Sequence, residues 1–210
     1  MITRVIPADD EATISRAADV LAGGGLLAFP TDTVYGLGCH ALLPAAVERI
    51  FEAKMRPKHK AIPLLVSGPE QLVQAATHVP GVAHRLIDAF WPGGLTIVLA
   101  KHPSIPDAVT AGGDTVALRM PDHAFVLALI EAIAAPIAAT SANLSDRPPA
   151  TSAAEAVAAL GRFVELVVDG GPSPVGVPST VLDLTTAPPE IVRPGAISPR
   201  ELGRVVGCVV

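Results

Sequence analysis

The sequence predicts an α/β fold built on a twisted mixed sheet with flanking helices. Three observations carry that expectation. Apolar segments of strand length alternate with segments of helical periodicity along all 210 residues. Glycine and proline clusters fall between these segments rather than inside them. The segments starting at Thr180 and Glu190 are joined only by TTAPP, too short for the crossover that parallel neighbours need, so the sheet is mixed.

The elements follow in order. A first helix starts near Asp10, carries Ile14, Ala17, Ala18 and Leu21 on one face, and stops at the glycines 23–25. Residues 26–30 form a short apolar strand. A second helix opens at Pro44, a favoured first-turn position, and places Val47, Ile50, Phe51 and Lys54 on one face, so that Lys54 ends it on its buried side. Further strands are predicted at 62–66, 95–100, 115–120, 137–139, 166–168, 180–184 and 190–193. Further helices are predicted at 70–76, 82–89, 124–134, 152–160 and 199–206. The glycine pairs at 93, 112 and 170 and the stretches DRPPA and GGPSPVGVP read as short ordered loops. With no linker and no internal repeat, residues 1–210 are expected to be one domain.

Composition narrows the classes. A chain that is 50% hydrophobic and 17% charged is too apolar for disorder. Two cysteines, Cys39 and Cys208, make neither a disulfide framework nor a metal motif, which points to a reducing compartment. Mean hydropathy is +0.49, yet the longest apolar stretch, 124–139, is broken by Glu131 and Pro136 and is too short to span a bilayer. The opening MITRVIPADDEA has no apolar export core, so a cytoplasmic location is expected. The net charge of −5 argues against a surface devoted to nucleic acid.

Six segments could carry chemistry. FPTDTVYGLGCHA, after the strand at 26–30, gathers Thr31, Asp32, Thr33 and Tyr35; the plain alternative is an Asx-type turn. KMRPKHK, residues 54–60, joins arginine's planar fork to mobile lysine charges, a combination suited to polyphosphate; alone, it could be a solvated basic turn. In TVALRMP, Arg119 interrupts an apolar strand and must be paired with a carboxylate or an anionic ligand. ATSANLSDRPP brings Thr140, Ser141 and Asn143 after an apolar strand, GVPSTVLDL brings Ser179 and Thr180 to a strand mouth, and IVRPG adds Arg193. Each alone could be a cap or a turn. Together they place hydroxyls and guanidiniums at several strand ends, the composition of an anion pocket. Walker, G-x-S-x-G, H-E-x-x-H and C-x-x-C motifs are absent from the sequence. His78, His84, His102 and His123 are scattered and read as surface or cap residues.

The ordered set PTDTVYGLG, K-x-R-P, TVALRMP, TSAN, PSTVLDL and IVRPGAIS resembles the YrdC-like threonylcarbamoyl-AMP synthase family from about residue 23 to about residue 202. The resemblance implies a deep, positively charged cavity. It also implies a reaction in which L-threonine, bicarbonate and ATP give threonylcarbamoyl-AMP and pyrophosphate, with Mg²⁺ accompanying ATP. Partner proteins then use the product for tRNA threonylcarbamoyladenosine modification. Carried over by position, Lys54 and Arg56 match the family's catalytic phosphate clamp. Arg56, Lys60, Thr115, Ser141, Asn143 and Arg193 match ATP-contacting positions, and Thr33, Arg119 and Ser179 match threonine-contacting ones. No resident metal ligand is implied. Met55 is unusual within the clamp, Leu65 stands where some longer members carry a histidine, and Asp32 has no assigned role. The resemblance is to the short form, without an additional C-terminal domain. Alanine at Lys54 or Arg56 is expected to cost activity with little loss of stability. The competing reading is a double-stranded RNA or tRNA-binding module using the same basic groups; weak tRNA binding is compatible with either, and no membrane partner is expected.

Overall fold

The structure is a computed structural model that describes residues 4–10 and 12–207. The expectations placed on Cys208 and on the first three residues lie outside the described residues.

A ten-stranded sheet organises the chain, in the order β1-β8-β2-β3-β7-β4-β6-β5-β9-β10. Its strands are β1 (Arg4–Pro7), β2 (Leu27–Phe29), β3 (Gly36–His40), β4 (Leu64–Leu65), β5 (Leu95–Ala100), β6 (Thr115–Arg119), β7 (Ile137–Ser141), β8 (Leu166–Asp169), β9 (Thr180–Asp183) and β10 (Glu190–Arg193). The sheet is mixed, as expected: β1/β8, β2/β8, β4/β6 and β5/β9 pair parallel, and the other neighbours antiparallel, including the β9/β10 pair across TTAPP.

Helices α1 (Thr13–Ala22), α2 (Pro44–Lys54), α3 (Leu72–Ala75), α4 (Gly81–Phe90), α5 (Asp107–Thr110), α6 (Ala124–Ile133), α7 (Ala153–Leu160) and α8 (Pro199–Val206) flank the sheet. Their starts have local causes. Proline occupies the first turn of α2 and α8, and Ser198 with Glu201 closes a capping box on α8. Ser152 accepts from the Glu155 amide at the start of α7. One apolar cluster joins α2, α4 and α7 to the sheet through Val47, Ile50, Leu86 and Leu160; a second joins α1 and α6 to β2, β7 and β8 through Leu21, Val126, Phe29 and Val168.

Several expectations need correction. The glycine-rich GLGCH, to which no strand was assigned, is the buried strand β3. A Cβ at Gly38 would stand 2.7 Å from Ile137 Cγ2 and 2.9 Å from Phe29 Cε1, so glycine is present here for close packing within a sheet rather than for a turn. The short strand β1 and the single-turn helix α5 were not anticipated. The strand expected at 62–66 is confined to Leu64–Leu65, and the helix expected at 70–76 divides into a 3₁₀ turn, Pro69–Gln71, and α3. Helix α1 begins at Thr13 rather than near Asp10, whose carboxylate instead accepts from the Ala12 amide.

Strand alternation sets the position of the site. In β6, Val116 and Leu118 join the core, whereas Thr115, Ala117 and Arg119 face a cavity. The same parity holds in β5, where Leu95, Ile97 and Leu99 are core and Thr96 and Val98 face the cavity, and across Leu64/Leu65, Ala138/Ala139 and Leu182/Val181.

Candidate active site

The cavity has a volume of about 590 Å³, within the range of small-molecule sites. Its walls are mainly apolar, supplied by Leu65, Val98, Ala117, Ala139, Val181 and Val192. Four cations project into it, Arg56, Lys60, Arg119 and Arg193, and among the described residues no carboxylate lines it. In a chain of net charge −5, this is a local field opposed to the global one. A large anion would be drawn in, and apolar walls of low polarizability strengthen that attraction.

Each guanidinium is aimed by its own backbone contacts. Arg56 follows α2 across Met55, whose left-handed φ of 50° turns the chain out of the helix. Its Nε donates to the Lys60 carbonyl at 3.0 Å and its Nη2 to the Ala61 carbonyl at 2.7 Å. Arg193, on the edge strand β10, donates to the Ser179 carbonyl at 2.7 Å and to Ser179 Oγ at 3.0 Å. Burial lowers the pKa of both, and each feels another cation: Arg193 acts on Arg56, and Arg119 acts on Arg193. Arg193 thus repels both of the other guanidiniums, a repulsion that an anion would relieve.

Arg119 is the most enclosed, 7% exposed. Its Nε donates to the Gly93 carbonyl at 2.9 Å, Nη1 to Thr33 Oγ1 at 2.8 Å and Nη2 to Asp32 Oδ1 at 2.5 Å. Burial lowers its pKa and Asp32 opposes the shift. Hydrogen-bond direction can be read along this chain. Thr31 donates its single hydroxyl hydrogen to the Val34 carbonyl at 2.7 Å. Thr31 Oγ1 also accepts from the amides of Thr33 and Val34, and at the 3.1 Å contact between the two hydroxyls only Thr33 has a hydrogen to give, while it accepts from Arg119. What Thr33 can still offer to the cavity is a lone pair. Beside Asp32, His123 stands at the N-cap position of α6 with its Nδ1 enclosed and unpartnered; burial lowers its pKa, so it is neutral at pH 7.

Two sequence candidates stand behind the wall. Lys54 is 2% exposed. Its Nζ donates to the Ser141 carbonyl at 2.5 Å, to the Asn143 carbonyl and to Asn143 Oδ1 at 3.2 Å. Burial, then Arg56, pulls its pKa down to about 7. Asn143 donates through Nδ2 to the carbonyls of Leu144 and Arg147. Lys54 and Asn143 therefore brace the loop that follows β7, while Thr140 and Ser141 from that segment face the cavity. Thr33, Lys60, Thr115 and Ser179 also line it, Lys60 standing 3.5 Å from Asp146. The sequence did not single out Thr96, fully buried in β5, whose Oγ1 lies 2.8 Å from Ser179 Oγ. Its signal was the T-x-V alternation against the core residues of β5. Tyr35 lines the cavity with Thr31 and Thr33, but its hydroxyl is engaged elsewhere, donating to the Gly171 carbonyl at 2.7 Å.

Among the described residues, no group of three or more His, Cys, Asp or Glu side chains could hold a metal ion, and no helix is long and apolar enough to cross a membrane. Fold and cavity together define an α/β domain whose sheet carries a cation-lined cavity, a site of the right charge and size for a large anion.

Comparison with known proteins places that domain. The Sua5/YciO/YrdC family model, described as "Telomere recombination", matches residues 19–195. A threonylcarbamoyl-AMP synthase of Pyrococcus abyssi is 46% identical over 94% of this chain and 58% of its own length, and one of Bacillus subtilis is 43% identical over the same shares. The crystal structure of P. abyssi Sua5 complexed with L-threonine superposes with a TM-score of 0.96 at 44% identity, covering 99% of this chain and 62% of that one. The chain belongs to the YrdC-like Sua5/threonylcarbamoyl-AMP synthase family. It spans about three fifths of the length of these relatives.

Proposed function

We propose that this chain is an L-threonylcarbamoyladenylate synthase, converting L-threonine, bicarbonate and ATP to threonylcarbamoyl-AMP and pyrophosphate for tRNA modification. The observation that carries the reading is the cavity lined by four cations and, among the described residues, no carboxylate, in a chain whose relatives bear that activity in their names.

The chemistry suits the geometry. Threonine's amine and bicarbonate condense, with loss of water, to a carbamate; a carbamate oxygen then attacks the α-phosphorus of ATP and pyrophosphate leaves. Nucleophile and electrophile are both anionic, so the site must contribute charge and alignment more than a base. Arg56, Lys60 and Arg193 face the polyphosphate in this reading, with Thr115 and Ser141 toward the nucleoside. Arg119 takes the threonine carboxylate through its remaining N–H groups. Thr33, left with a lone pair, accepts from the amine, and Ser179 contacts the same substrate. Lys54 and Asn143 act through the loop they brace. Mg²⁺ would accompany ATP as part of the substrate and would supply charge neutralisation to its phosphates.

Pyrophosphate release measured with ATP and Mg²⁺ should require threonine and bicarbonate together. Release that persists with either omitted would identify an ATPase instead. Binding of tRNA that is tight at low salt and falls steeply with added salt, without threonine-dependent pyrophosphate, would favour the RNA-binding alternative.

A further inference from the structure

We infer that Asp32 is a positioning residue that aims Arg119 at the amino-acid carboxylate, and thereby sets the affinity for the amino acid rather than for the nucleotide. The inference rests on the proposed synthase reading and adds a residue to which that reading assigns no role.

Asp32 does not line the cavity, whereas its neighbours Thr31 and Thr33 and its partner Arg119 do. Its side chain is 11% exposed and lies 2.5 Å from Arg119 Nη2, making the most deeply buried ion pair among the described residues. A contact with substrate is therefore not its task. A guanidinium has five N–H groups in one rigid plane. Asp32, Thr33 and the Gly93 carbonyl take one each, from three different nitrogens. Three anchors on three nitrogens fix the plane, and two N–H groups remain to grip a carboxylate. Asp32 is the only charged anchor of the three, and its own backbone is held: the Val175 amide donates to its carbonyl at 3.1 Å, and the Gly176 amide to that of Thr33 at 2.8 Å. The Thr31–Asp32–Thr33 turn is thus clamped between Arg119 on one side and the loop before β9 on the other.

The arrangement permits two opposite effects, which makes it testable. Asp32 orders the Arg119 fork, which favours carboxylate binding, but it also neutralises the charge that attracts the carboxylate. Our inference is that ordering dominates. The test is steady-state kinetics of D32N and D32E beside wild type, varying threonine and ATP separately, with folding checked by circular dichroism. D32N should raise the threonine KM by tenfold or more, leave the ATP KM within about twofold and leave kcat at saturating threonine nearly unchanged. D32E, which keeps the charge but moves it by one methylene, should restore less than half of the loss on a logarithmic scale. A threonine KM that is unchanged or lower in D32N would show that Asp32 merely masks Arg119, and full recovery in D32E would show that charge without geometry suffices; either overturns the inference. Equal rises in both KM values, or a fall in kcat alone, would mark a general structural defect and also overturn it. Should D32N fail to fold, D32E decides: a threonine-selective rise in KM supports the inference, and wild-type behaviour overturns it. A wild-type protein without threonine-dependent product would instead overturn the synthase reading itself, and with it this inference.

Discussion

Lys54 joins packing and chemistry in one side chain. Its ammonium is buried because α2 needs an apolar face there, and it survives burial because three oxygens of the Ser141–Asn143 segment accept from it. Removing it leaves carbonyl oxygens without donors, so K54A should lose on the order of 2–4 kcal/mol of stability as well as activity. The sequence led to an expectation of little stability loss, because periodicity placed Lys54 on the buried face but could not show what it meets. Its pH dependence has a definite sign. The folded state gives up the Lys54 proton near pH 7, the unfolded state near 10.4, so the unfolded state binds more protons between those values and stability rises with pH across that window. The stability difference between wild type and K54M, from urea melts at pH 7 and pH 9.5, should therefore widen at the higher pH. Arg193 contrasts with Lys54: it repels its cationic neighbours, so R193A should leave the melting temperature within about 2 °C while lowering kcat/KM for ATP by about 10²–10³-fold.

At the scale of elements, β3 is the instructive case. Its composition, Gly-Leu-Gly-Cys-His, reads as loop because glycine is usually a break, and a single sequence does not reveal that Phe29 and Ile137 lie across it. Gly38→Ala should therefore cost about 1–3 kcal/mol through overpacking, seen as a lower urea midpoint with the same slope. Helices with strong end signals were legible: Pro44 opens α2, Ser152 opens α7, and the box of Ser198 and Glu201 opens α8. The short strands β1 and β4 were not fully legible, because two to four residues carry too little periodicity and take their definition from β8 and from β6 and β7. The site was legible as a set of motifs but not as a surface. The motifs suggested clusters at strand ends, and Thr115 and Arg119 do stand at the two ends of β6, but Thr96 and Ala117 come from strand interiors.

For the whole molecule, the opposition between a net charge of −5 and a cationic cavity separates the functional readings. A chain that keeps its cations in one recess should bind ATP with Mg²⁺ in the absence of RNA and gain thermal stability from it, by about 2.7 kcal/mol at a hundred times the Kd. Differential scanning fluorimetry with ATP alone, threonine alone and both is the check. No ATP-dependent shift would count against the cavity as the nucleotide site. The alternation that builds the cavity has a further consequence, for how such a chain can change over time. Along β6, Val116 and Leu118 answer to the core, while Thr115, Ala117 and Arg119 answer to the ligand. Selection on abundance and selection on activity therefore act on interleaved positions of the same strand. Substitutions could redraw the ligand face residue by residue, toward another amino acid or another anion, while the folding information carried on the opposite face stays intact.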